Sequence, residues 1–70
     1  MQRYVILEEN FHSTLEDIVN IYISVGFSPL GGVAISKTDE TGRARYAQSM
    51  ICASWDENVE KTLRFELKMR

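Results

Sequence analysis

The stretch Ser54-Trp55-Asp56-Glu57-Asn58-Val59-Glu60-Lys61-Thr62-Leu63-Arg64-Phe65-Glu66-Leu67-Lys68-Met69-Arg70, SWDENVEKTLRFELKMR, decides whether the chain closes on a helix or on a strand. Leu63 to Arg70 alternates apolar and charged residues without a break, as a half-buried strand does. Three signals oppose that reading. Ser54-Trp55-Asp56-Glu57 has the capping-box pattern, a hydroxyl to accept from an orphan helix N–H and a carboxylate three residues on. Acidic residues precede basic ones, the order the helix dipole favours. Glu57–Lys61, Glu60–Arg64 and Glu66–Arg70 are i, i+4 pairs in the stabilising direction. The spacing therefore predicts a helix.

Upstream, Arg3 to Glu8 (RYVILE) is a short apolar run bounded by charges. It reads as a strand covered on both faces, an interior one. Ser13-Thr14-Leu15-Glu16 repeats the capping-box pattern and predicts a helix start. Leu15, Ile18, Val19 and Tyr22 follow the i, i+3, i+4, i+7 spacing, with Glu16, Asp17, Asn20 and Ser24 on the other side. Ile21, Ile23 and Val25 fall outside this stripe and widen the apolar arc to roughly 200°, more than one sheet face must cover. The surplus is expected to meet a second surface, most simply another copy of the chain. Gly26 suits the left-handed residue after a helix end, and Pro29 prevents continuation.

Gly26 to Ser36 (GFSPLGGVAIS) follows, with Leu30 to Ser36 read as strand two, Val33 and Ile35 on one face and Gly32 and Ala34 on the other. Lys37 to Arg43 has the polarity and the glycine of a hairpin loop. Arg45 to Cys52 is strand three, alternating Tyr46, Gln48, Met50 and Cys52 against Arg45, Ala47, Ser49 and Ile51. The expected fold is α+β: a small antiparallel sheet with packed helices, in the order β-α-β-β-α, one domain over residues 1–70.

Seventy residues bury a marginal core, about 60% of the surface the unfolded chain exposes. A single Cys52 rules out an internal disulfide, and with one His12 it falls short of a four-ligand zinc site. Self-association is the remaining way to compensate. With no apolar run of ~18 residues and no secretion-signal pattern, neither a membrane partner nor export is expected, and a reduced cytoplasmic setting is the default. A net charge of −2 and a pI near 5.2 disfavour long nucleic acid, whose binding needs many cations. A small phosphorylated ligand needs only two or three arginines and some backbone N–H groups.

Catalysis has no support in the pattern. Cys52 and His12 are not required to meet, and the carboxylates Asp39, Glu40, Asp56 and Glu57 are explained by solvation or capping. Gly31-Gly32 is more telling. It is either a tight turn or a place where a ligand approaches bare backbone. It is not a phosphate-binding P-loop or a dinucleotide fingerprint, since these glycines follow a helix and open a strand. Phe27, Tyr46 and Trp55 fit either a core or a base-stacking platform. Gln48 stands on an apolar strand face, bonded either to a neighbouring loop backbone or to a purine edge. Arg43 and Arg45 flank the hairpin, solvated or clamping phosphate.

Leu15-Glu16 and Val19-Asn20 on the helix, then Gly26-Phe27-x-Pro29-x-Gly31-Gly32 and Tyr46-x-Gln48-Ser49-Met50, together resemble a family of very short bacterial and phage proteins of unassigned function. Its members read Val-Asn, Gly-Trp or Gly-Tyr, Pro-x-Gly-Gly and Tyr-x-Gln-Ala-Met. The match covers about residues 3–52, departs at Phe27 and Ser49, and leaves the element at 54–70 outside. Some relatives of this kind look similar to phage proteins that sequester cyclic dinucleotide alarm signals as homotetrameric sponges. The resemblance implies a cytoplasmic, homotetrameric protein that binds a ligand such as 3′,3′-cyclic GMP-AMP without cleaving it and without cofactor or metal. It implies ligand-binding roles for Phe27 and Tyr46 in stacking, Gly31 and Gly32 in backbone approach, Gln48 at a base edge, and Arg43 or Arg45 at phosphate, with Pro29 beside them in the site. The alternative is an interaction module that engages a host protein through the surplus helix face, and a third is an enzyme cleaving the same signal.

Overall fold

The structure is a computed structural model and describes residues 1–37 and 44–69. Its elements run β1 (Arg3–Glu9), α1 (His12–Ser24), β2 (Ser28–Lys37), β3 (Ala44–Cys52) and α2 (Glu57–Lys68), so the order is β-α-β-β-α and the fold is α+β. The last segment is a helix. The three strands form one antiparallel sheet in the order β1-β3-β2.

Strand β3 is central, which corrects the reading of Arg3–Glu8 as an interior strand: β1 is an edge. Its register pairs Val5 with Met50 and Leu7 with Gln48 on one face, and Tyr4 with Ile51 and Ile6 with Ser49 on the other. The first set points toward the helices. The second is uncovered, Tyr4 and Ile6 being 54% and 58% exposed. The apolar run of β1 thus reflects an apolar face left open, not a strand buried twice.

The core lies between the sheet and the helices and is built from Leu7, Leu15, Phe27, Met50, Cys52 and Leu63. Leu15 comes from the expected stripe of α1, and Ile18, Val19 and Tyr22 pack against the same cluster. So do Ile21 and Val25, both half-buried, along with Val59 and Leu67 of α2. Much of the surplus helix arc therefore meets the chain's own second helix. Ile23 remains 44% exposed.

Both capping-box readings need correction. Helix α1 begins at His12, one residue early, with Phe11 at the N-cap and no side-chain cap bond. Ser13 is thereby inside the helix, where its hydroxyl has no cap to make. At α2 the cap is Asp56, whose Oδ1 accepts from the Val59 N–H at 2.9 Å, so Ser54 lies outside the helix. Of the ion pairs read from spacing, Glu60–Arg64 closes at 3.1 Å. Glu57–Lys61 does not form among the described residues, and Glu66–Arg70 falls outside them. Gly26 follows the C-cap Val25 with φ 114°, the positive-φ position expected for it.

Candidate functional site

The site is built around a defect in the β2–β3 ladder. Leu30 pairs with Ser49, and the next registered pair is Ala34 with Ala47. Gly31, Gly32 and Val33 thus stand opposite Gln48 alone, a bulge with two extra residues in an edge strand. Gly31 makes the bend with φ 69°, a conformation that glycine adopts without a Cβ penalty.

Gln48 holds this bulge in place. Its side chain is buried, and Nε2 donates to the carbonyls of Leu30 at 3.1 Å and Gly31 at 3.3 Å, and to that of Ser49 at 3.0 Å. Three carbonyls around one nitrogen fix the amide's orientation, since the flipped amide would set oxygen against oxygen. The hydrogen-bonding capacity of Gln48 on the nitrogen side is therefore spent on the neighbouring backbone, one of the two readings left open by the sequence. Its Oε1 accepts no hydrogen bond from the described residues. No fully buried side-chain N or O among them lacks a partner, so this oxygen keeps an opening.

Gln48 also lines a groove of about 260 Å³ between α1 and the bulge. Leu15, Glu16, Val19 and Asn20 form its helix wall, Val33 its strand wall, and Gln48 its floor, with His12 at the mouth. His12 Nδ1 lies 3.8 Å from Glu16 and its ring meets Tyr46 edge-on at 6.0 Å. The glycines border open space. An added Cβ at Gly31 or at Gly32 would meet no atom within 4 Å. The bulge backbone is accordingly accessible to whatever enters beside it.

The structure brings together some of the residues singled out in the sequence and separates others. Gly31, Gly32 and Gln48 form the bulge and its pin, and Tyr46 is half-buried two residues along β3 on the same face. Pro29 is exposed and registers with Met50 just before the bulge. Phe27 is corrected to a core residue: it is 2% exposed, with Tyr22 and Trp55 edge-on to it at 5.0 and 5.7 Å, and offers no free ring face. Trp55 is likewise engaged, with the Arg3 guanidinium 5.4 Å from its centroid. Arg45 projects from the opposite face of the sheet and pairs with Glu8 at 3.1 Å. Arg43 lies outside the described residues.

Leu15 and Val19 were legible as part of the apolar stripe of the helix and Glu16 and Asn20 as its polar side, and all four line the groove. Their meaning as a wall was not, because Glu16 and Asn20 read equally well as a solvated helix face. Among the described residues no group of three or more His, Cys, Asp or Glu could hold a metal ion. No helix is long and apolar enough to cross a membrane. Compared with family models, with curated proteins and with solved structures, the chain matches none of them.

Proposed function

We propose that this chain is a homo-oligomeric sponge that binds a cyclic dinucleotide such as 3′,3′-cyclic GMP-AMP and holds it uncleaved, in the manner of phage proteins that evade cyclic-oligonucleotide immunity. The observation that carries the reading is the groove floored by Gln48. It combines an apolar wall with an amide oxygen that accepts from none of the described residues, and Val33 of its strand wall belongs to the bulge that Gly31 and Gly32 open. A purine fits that chemistry: an exocyclic amine or ring N–H donates to Oε1 while the ring lies against Leu15, Val19 and Val33.

Size supports a shared site. Pockets that enclose a whole small ligand measure ~300–1,000 Å³, so a groove of 260 Å³ holds one nucleobase rather than a dinucleotide. A ligand with two near-equivalent halves is served by two near-equivalent grooves from symmetry-related copies. The placement of Arg45 points the same way. In one chain it and the groove lie on opposite faces of the sheet, so an Arg45 guanidinium reaching phosphate at the groove would come from a neighbouring copy. The helix-mediated interaction module is less well supported, because α2 takes up much of the apolar arc it would use.

Calorimetric titration of the 70-residue chain with a panel of cyclic dinucleotides tests the reading. Saturable heat at a defined ligand-to-chain ratio is expected, with the ligand recovered intact after the protein is heated. Absence of heat for every cyclic dinucleotide, with a linear nucleotide or a protein binding instead, ends it. Recovery of cleaved ligand would move the reading to an enzyme.

A further inference from the structure

One face of the sheet has no helix over it. Its centre is Ile6, Ser49 and Leu30, aligned across all three strands, with Tyr4 and Ile51 alongside. Ile6 is 58% and Leu30 44% exposed, and the Tyr4 hydroxyl donates to Ser49 Oγ at 2.9 Å, which lays its ring along the sheet. We propose that this face is where two copies of the chain meet, sheet against sheet, in a two-fold dimer. The proposal rests on the reading of a homo-oligomeric sponge for its purpose and adds a second contact to it, since the grooves open on the helix side and this seam lies on the other face.

Area sets the strength of such a contact. Seven registered residues at ~3.3 Å each and three strands at ~4.8 Å spacing give a plane of about 23 by about 15 Å, which side-chain relief enlarges. Two such faces, side-chain relief included, bury on the order of 1,000 Å², the size of a weak and transient pair. The expected dimer is therefore weak and concentration-dependent.

Charge fits the same occupant. The apolar centre carries none, and toward the Glu8 end the charges on this face among the described residues are the Glu8–Arg45 pair, one of each sign. Opposing this face with its own copy brings no uncompensated field of one sign, whereas a strongly acidic or basic partner would find nothing to complement it. Facing sheets stack ~10 Å apart with their strands within about 30° of parallel, which the flat disposition of Tyr4 permits.

Sedimentation velocity of the full chain from about 1 µM to about 1 mM tests the proposal, with far-UV circular dichroism to verify folding. The wild type is expected to shift toward at least twice the 8.1 kDa of one chain. Ile6→Lys and Leu30→Lys are each expected to weaken that association at least tenfold, and Ile23→Lys to leave it unchanged. In methyl NMR of the wild type, Ile6 and Ile51 should shift on dilution while Ile23 does not, a readout independent of any variant's folding. A wild type monomeric throughout, a dimer indifferent to both lysines, a dimer broken by Ile23→Lys, or a face that takes up lipid vesicles instead of itself would each overturn it. An intact dimer that gives no heat with cyclic dinucleotides would retire the sponge and leave the seam standing.

Discussion

Gln48 and the two glycines opposite it show how much depends on single residues in so short a chain. The Gln48 amide satisfies the Leu30 and Gly31 carbonyls that the interrupted ladder would otherwise leave unpaired. Gln48→Ala is expected to cost about 1–3 kcal/mol, the penalty for stranding buried polar groups, and urea denaturation reads it as a lower midpoint. An unchanged midpoint would mean that the bulge holds itself. The glycines should separate stability from binding. Gly31 sits at φ 69°, so Gly31→Ala is expected to destabilise by about 1 kcal/mol. Gly32 has no such constraint and open space around it, so Gly32→Val should leave stability within about 0.5 kcal/mol yet lower cyclic dinucleotide affinity at least tenfold. Equal affinity in that variant would remove the bulge from the site. In the sequence, Gln48 was visible as an anomaly on an apolar face, but its partner was not. Which backbone it bonds depends on a bulge that alternation cannot locate, because two extra residues preserve the inside–outside pattern.

At the scale of elements, the helix at 57–68 was legible because cap chemistry, propensity and charge order agreed, and their agreement outweighed the alternation of Leu63 to Met69. The cap itself was misplaced. Both Ser54 and Asp56 are good N-cap residues, and the choice between them depends on where Trp55 enters the core beside Phe27, a tertiary fact. Asp56→Ala is expected to lower stability by about 1 kcal/mol, a fall in melting temperature of about 4–8 °C, since it removes the acceptor for the Val59 N–H. Ser54→Ala and Ser13→Ala should change it little. A Ser54 effect as large as that of Asp56 would restore the capping-box reading. Strand β1 was misread for a different reason. An apolar face that no helix covers has the composition of a buried one, and composition does not report the neighbour.

For the whole molecule, the order β-α-β-β-α followed from periodicity and punctuation, while the identity of the apolar surplus did not. Helical spacing placed it on α1, whereas Ile21 and Val25 pack against the chain's own core and the sheet leaves Tyr4, Ile6 and Leu30 bare. The candidate site divides in the same way: Gln48 and Tyr46 share the helix side, the glycines lie in the bulge opposite Gln48, Phe27 is spent on the core, and Arg45 faces away. On the proposed reading, a chain with a one-base groove on one face and a bare apolar surface on the other works as an oligomer. A native mass spectrum of the protein mixed with 3′,3′-cyclic GMP-AMP tests that claim most directly, reporting copy number and bound ligand together. Ions of a dimer or tetramer carrying intact ligand in fixed ratio are expected, and single ligand-free chains of 8.1 kDa at the same concentrations would contradict it.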